Sequence, residues 1–288
     1  MPIRWLVYAV AIIVSRAPAM PPLRSLLTLS ALCLLSLALS ACQSMPSAAT
    51  GTFVKRELSL DGATYRYQVF VPASRFRKDK APVVLFLHGS GERGSDGEKQ
   101  TQAGLGPYLR THADDFPAIA VFPQSPDGRS WDGDVAQMAL AALEAASTEF
   151  GGDPQRTYAT GLSRGGYGTW ELALLQPQRF AALVPICGGI TPPGTRPDLD
   201  DLEVASVVSH DDPFADAARQ LRHIPAWIFH GGKDDVVPPA QSRRMYAALK
   251  AEGADVQYTE FPDASHNAWD ATYQSDAMWR WLFAQRKP

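Results

Sequence analysis

The sequence predicts an α/β fold: a mostly parallel, doubly wound sheet, opened by an antiparallel hairpin and built as a single domain. Three observations predict it. Short runs that are apolar at every position recur along the chain, as expected of strands covered on both faces. Segments with apolar residues at helical spacing separate those runs, the alternation that gives a layered β/α architecture. Ahead of both lies a pair of segments that alternate apolar and polar residues around a short turn.

Taken in order, residues 52–60 and 65–71 are the alternating strands, and Asp61-Gly62 supplies the turn between them. Buried strands are expected at residues 82–87, 118–122, 157–160, 180–187, 225–229 and 256–261. Helical spacing marks residues 134–150, 166–175, 240–252 and 270–287. Residues 188–223 differ, being rich in Pro, Asp and Gly, with Asp198, Asp200, Asp201, Asp211 and Asp212 and only a weak helical pattern at the end. So long a connection inside a compact domain is usually functional or disordered. Residues 190–219 are therefore read as an insertion near the site, whose acidic composition suits a rim meeting polar or cationic substrate groups rather than a greasy lid.

The 288 residues are 45% hydrophobic and 20% charged, which is ordinary for a packed globular chain and excludes disorder and fibres as the main class. The net charge of -3 understates the acidity of the body, because the first 41 residues hold Arg4, Arg16 and Arg24 and no acid. An acidic body without a Lys/Arg run offers no electrostatic footprint for nucleic acid.

Arg24 precedes an apolar run at residues 25–39 that is too short to span a bilayer comfortably and fits the apolar core of a signal peptide. The Leu39-Ser40-Ala41-Cys42 sequence after it resembles the lipobox of bacterial lipoproteins, which implies cleavage before Cys42 and lipidation of its thiol. Residues 1–41 are thus expected to be a signal peptide, and one starting at Met20 is better proportioned than one starting at Met1. Residues 42–51 form a small, polar tether and residues 52–288 the catalytic domain. Gln43 stands where an aspartate would imply inner-membrane retention, so the lipoprotein resemblance implies a lipid anchor in the outer membrane. The domain would then face the periplasm or the outside. Cys33 would be lost with the leader and Cys42 acylated, leaving Cys187 as a buried small hydrophobe and no internal disulfide.

Gly161-Leu162-Ser163-Arg164-Gly165 fits G-x-S-x-G between a strand and a helix, where the glycines are expected to permit a sharp, strained turn that lifts a serine hydroxyl above the sheet edge. Ser163 is the candidate nucleophile. A serine needs a base, and the base a carboxylate to orient it, in the chain order Ser, Asp, His for this arrangement. His230-Gly231-Gly232-Lys233-Asp234-Asp235 places two acids after one strand, and Pro262-Asp263-Ala264-Ser265-His266 places a histidine after the next. His266 is the candidate base. His88 and His230 read as strand-end residues bonded to nearby backbone, and His112 and His223 as helical or linking residues. His210-Asp211-Asp212 lacks a second ligand pair, so no metal site is expected. Candidate oxyanion donors are the backbone N–H groups of Arg164, directly after the serine, and of Ser90 in the His88-Gly89-Ser90-Gly91-Glu92-Arg93-Gly94 loop. Glu92, Arg93 and Trp131 are candidate residues of the substrate rim, with a local Glu92–Arg93 ion pair as the plainer alternative.

Residues 88–94, the Gly161 to Gly166 elbow with Tyr167-Gly168-Thr169-Trp170, the His230-Gly231-x-x-Asp234-x-x-Val237-Pro238 stretch and His266-Asn267-x-Trp269 together resemble α/β-hydrolase esterases of the dienelactone hydrolase and prolyl oligopeptidase-like group. The resemblance covers residues 52–286 and implies Ser163 as nucleophile, Asp234 as acid and His266 as base. Asp235 would then brace the loop or the following helix. It implies a cofactor-free serine hydrolase of carboxylic esters, small or borne on a polysaccharide. A serine peptidase, without the propeller of the prolyl oligopeptidases, and a catalytically silent binding module are the alternatives. Arg164 departs from the apolar residue common after the nucleophile and is expected to put positive charge near the acyl pocket or on its rim.

Overall fold

The computed structural model describes residues 49–287, so the signal peptide, the Met20 start, Cys33 and the lipidation site Cys42 lie outside the described residues. Strands β1 (Thr52–Leu60) and β2 (Ala63–Val71) form the expected hairpin, with Leu60 opposite Ala63. Asp61 and Gly62 adopt left-handed backbone, φ 50° and 81°, a turn whose twist matches that of the strands.

The sheet continues with β3 (Ala81–Leu87), β4 (Ile119–Pro123), β5 (Gly152–Leu162), β6 (Ala182–Ile186), β7 (Ala226–Gly231) and β8 (Val256–Phe261). Its order is β1-β2-β4-β3-β5-β6-β7-β8. The hairpin joins antiparallel through β2 and β4, and every pairing from β4 to β8 is parallel. The helices are α1 (Leu105–Thr111), α2 (Gly133–Phe150), α3 (Arg164–Leu175), α4 (Pro213–Leu221), α5 (Ala240–Ala251), α6 (Trp269–Tyr273) and α7 (Asp276–Ala284).

The apolar runs follow from the two faces. Val83, Leu85 and Leu87 pack into a core shared with α2 to α5, through residues such as Met138, Trp170 and Leu249. Val84 and Phe86 point the other way, onto Leu105, Leu109, Met278 and Leu282 of α1 and α7. Each such fully buried side chain contributes roughly 1.5–3 kcal/mol relative to exposure, and no position of β3 is polar.

Four elements differ from expectation, the first being α1, a helix in a stretch where no helical spacing is marked. The helix expected at residues 270–287 is two, because Ser275 leaves the helical conformation and its hydroxyl caps α7 by accepting from Met278 N at 3.3 Å. Strand β5 starts at Gly152, ahead of the apolar run, its first residues being polar and only partly covered. The insertion is no loose acidic loop. Ile190, Leu202, Val204 and Val207 are buried in the larger core, and Asp212 caps α4, accepting from Ala215 N at 3.2 Å.

Candidate active site

Ser163 occupies the single position between the end of β5 and the start of α3. Its φ is 53° and ψ -119°, a conformation that costs a non-glycine residue on the order of 1–3 kcal/mol. The expectation that the flanking glycines carry this strain is corrected here: Gly161 and Gly165 have no positive φ, and the serine carries it. The glycines serve close approach instead. A Cβ on Gly161 would lie 2.2 Å from Gly165 O, and one on Gly165 1.9 Å from Leu87 O. Ser163 N donates to Ile186 O at 2.9 Å and Ser163 O accepts from Gly166 N at 2.8 Å, so the turn is held by β6 on one side and by α3 on the other.

The loop after β8 brings His266 to this turn. His266 Nε2 lies 2.8 Å from Ser163 Oγ, and its Nδ1 lies 2.7 Å from Asp234 Oδ2. With Nδ1–H donating to the carboxylate, Nε2 faces the hydroxyl as an acceptor. The Trp269 ring packs perpendicular to the imidazole, centroid to centroid 5.4 Å. Asp234 is buried in the loop after β7, and its Oδ1 accepts from Val236 N at 2.9 Å and Val237 N at 3.0 Å. Burial alone would raise its pKa, but hydrogen bonds from His230, His266 and the backbone outweigh it and hold the carboxyl well below the usual range. Of the two adjacent acids, Asp234 is the one that meets His266, and Asp235 is exposed.

His230 departs from the backbone-only role expected of it. Its Nε2 lies 2.8 Å from Val237 O, as expected, and also 3.2 Å from Asp234 Oδ2, while Nδ1 lies 2.7 Å from Ser242 Oγ. The H-G-x-x-D spacing was the available signal, since it sets a strand-end histidine one turn from the acid. His88 does take the plain role. Its Nδ1 donates to Gly89 O at 2.7 Å and its Nε2 accepts from Ser125 N at 3.0 Å, and burial lowers its pKa to about 4, so the ring is neutral. Cys187 is buried, and burial followed by the nearby Asp234 charge pushes its thiol up to about 12. His112, His210 and His223 bond to Tyr108 O, Asp216 and Pro177 O, away from Ser163.

A cleft of about 310 Å³ opens over Ser163 and His266, walled by the Gly89 to Arg93 loop, Trp269, and Arg196 and Leu199 of the insertion. Arg164 lines this cleft as expected, but its charge is held inward. The guanidinium is 2% exposed and bonds to both Asp201 oxygens at 2.6 and 3.0 Å, to Ser130 Oγ at 2.6 Å and to Ser90 Oγ at 2.9 Å. Trp131, by contrast, is not on the rim, being buried with Nε1 donating to His88 O at 3.0 Å. Glu92 and Arg93 line the cleft without pairing to each other: Glu92 accepts from Gly89 N at 3.0 Å, and Arg93 Nε donates to Ser90 O at 3.1 Å. Gly89 N–H is therefore occupied. The N–H of Arg164, first residue of α3, has no intrahelical acceptor.

The sequence profile of the prolyl oligopeptidase family matches residues 128–286. A secreted protein of unassigned function from Arthroderma benhamiae is 25% identical over 250 residues, covering 77% of this chain and 25% of its own. NocK of Nocardia uniformis subsp. tsuyamanensis, named as a candidate esterase, is 28% identical over 228 residues, covering 74% of this chain and 64% of its own. The chain thus spans a quarter of the one relative and just under two thirds of the other. The crystal structure of a thermostable esterase superposes with a TM-score of 0.64 at 29% identity, over 81% of this chain and 63% of that one.

Proposed function

The chain belongs to the prolyl oligopeptidase family, and from that premise we propose that it is a serine hydrolase that cleaves carboxylic esters through an acyl-enzyme on Ser163. Its fold is the α/β-hydrolase fold, as the sequence leads one to expect. The observation that carries the reading is the unbroken hydrogen-bonded path from Asp234 through His266 to Ser163 Oγ at the floor of an open cleft.

In this reading Ser163 Oγ attacks the ester carbonyl as its proton passes to His266 Nε2. The imidazolium so formed is stabilised by Asp234, which keeps its own charge. The N–H groups of Arg164 and Ser90 receive the oxyanion, each such donor contributing about two to three powers of ten in rate. His266 then protonates the departing alcohol. A water molecule deprotonated by the same nitrogen attacks the acyl-enzyme and releases the acid.

Ester rather than peptide cleavage is supported by the two relatives named for esterases, which share 28% and 29% identity with the chain. The family also includes peptidases by name, so the experiment sets a series of p-nitrophenyl esters beside aminoacyl p-nitroanilides. An organophosphonate should label the parent on Ser163, ester turnover should exceed anilide turnover, and Ser163→Ala should lose labelling and at least about a thousandfold in kcat/KM. A folded Ser163→Ala variant within tenfold of the parent overturns the reading, and faster anilide turnover overturns the ester assignment alone.

A further inference from the structure

We propose that His230 is a positioning residue for the hydrolysis, holding the Asp234 carboxylate in the one orientation that serves His266; the proposal rests on the reading of Asp234 as the acid. Four N–H donors surround that carboxylate, with the Cys187 thiol beside them. Val236 N and Val237 N bind Oδ1, and both belong to the loop that carries Asp234. The two that meet Oδ2 are the rings of His266 at 2.7 Å and His230 at 3.2 Å. Only His230 of this set is fixed in the sheet, on β7, where its side chain is 0% exposed.

The ring's tautomer follows from its neighbours. Nε2 faces two acceptors, Val237 O and Asp234 Oδ2, so it carries a hydrogen. Nδ1 faces Ser242 Oγ of α5 at 2.7 Å, which anchors the far side of the ring to a helix packed on the same strand. That single N–H lies between a carbonyl and a carboxylate oxygen that would otherwise confront each other in a buried space. Without it Oδ2 loses an N–H donor and faces a second acceptor, an unfavourable condition for a buried charge that the weak Cys187 S–H donor offsets only in part. Rotation of the carboxylate away from Val237 O would relieve that cost, and the hydrogen bond to His266 would be lost with it. His230 touches no reacting atom in this scheme and acts through Asp234 alone.

The test is a double-mutant cycle on the full chain, with kcat and KM measured for one p-nitrophenyl ester and folding followed by thermal melts. His230→Leu should lower kcat about ten- to a hundredfold with KM within threefold, the loss expected for a hydrogen bond to a buried charge. His230→Gln, which can place an N–H near the Nε2 position, should recover most of that loss. In an Asp234→Asn background His230→Leu should cost no more than about twofold further, because the orientation it protects no longer matters. A merely structural histidine would impose the same factor in both backgrounds. Should His230→Leu not fold, Ser242→Ala is read in the same two backgrounds, with a three- to tenfold loss of kcat expected in the first and none in the second. Parent-like kcat in the folded variant that is read, or an undiminished loss beside asparagine at 234, overturns the proposal. If Asp234→Asn itself keeps parental activity, it is the assignment of the acid that has failed.

Discussion

Asp234 and Asp235 are neighbours in sequence with opposite surroundings, and the contrast makes a sharp test of the acid. Asp234 is enclosed by four N–H donors, while Asp235 is exposed and near enough to Arg196 to help raise that guanidinium's pKa, after Asp198. Asp234→Asn keeps the shape and removes the charge that favours the imidazolium, so kcat should fall by about three to four powers of ten. Asp235→Asn should leave kcat within about twofold and stability within about 0.5 kcal/mol, as for most exposed substitutions. That departs from the bracing role its position before Pro238 suggests in the sequence, because no bond to the loop or to α5 is formed by the exposed carboxylate. Steady-state kinetics and urea titrations of both variants check the ranking, and a larger loss at 235 would sink it. At this scale the chemistry-bearing types were legible, since Ser163, Asp234 and His266 stand in strand-end loops recognisable from apolar runs. What Arg164 and Trp131 do was not, because their partners, Ser90, Ser130 and Asp201 for the one and His88 for the other, stand far away in the chain, whereas His230 left a signal in the H-G-x-x-D spacing.

Among the elements, the insertion shows the same limit. Its acids suggest a solvated rim in the sequence, and Asp198 does line the cleft, yet Asp201 reaches across to the buried Arg164 guanidinium, whose Nε also holds Ser90 Oγ. One arginine thus joins the helix behind the serine, the insertion and the loop that supplies the second proposed oxyanion donor. Asp201→Ala would leave that guanidinium buried with two hydroxyl acceptors only. A fully buried pair losing one partner costs about 3–5 kcal/mol. Asp201 is 50% exposed, so about 1–2 kcal/mol is expected here, a Tm lower by roughly 2–8 °C for a domain of this size. Backbone amides at residues 196–204 should exchange faster in the variant, and kcat/KM should fall with the loosened Ser90. An unchanged Tm with parental exchange at those residues would show that Ile190, Leu202, Val204 and Val207 hold the insertion without the ion pair. The strands themselves were easier to place, since β1, β3 and β8 are delimited by their own alternation or apolar content. The split of α6 from α7 was not, because one capping serine within an apolar helical pattern leaves the pattern intact.

For the molecule as a whole, the buried neutral His88 makes stability depend on pH in a window distinct from that of the carboxylates. Its folded pKa is lowered from 6.5 to about 4, first by burial, so between those values the unfolded chain binds a proton that the folded chain does not. Stability contributed by the neutral ring is therefore full above 6.5, declines as pH falls toward about 4, and is constant below; the whole drop is on the order of 3 kcal/mol. Asp234 acts lower on the scale. Its folded pKa lies well below the unfolded value, so its contribution is present above the ordinary carboxylate range and lost only in stronger acid. The two are separable by His88→Gln, which offers an N–H and a carbonyl without a titration and alters packing against Trp131 equally at every pH. Unfolding free energies measured in urea at pH 7.5 and pH 4.5 should drop by about 2–3 kcal/mol more in the parent than in the variant. Equal drops would mean that the ring is protonated inside the folded protein, which Ser125 N–H directed at its Nε2 forbids unless the Ser125 loop moves away.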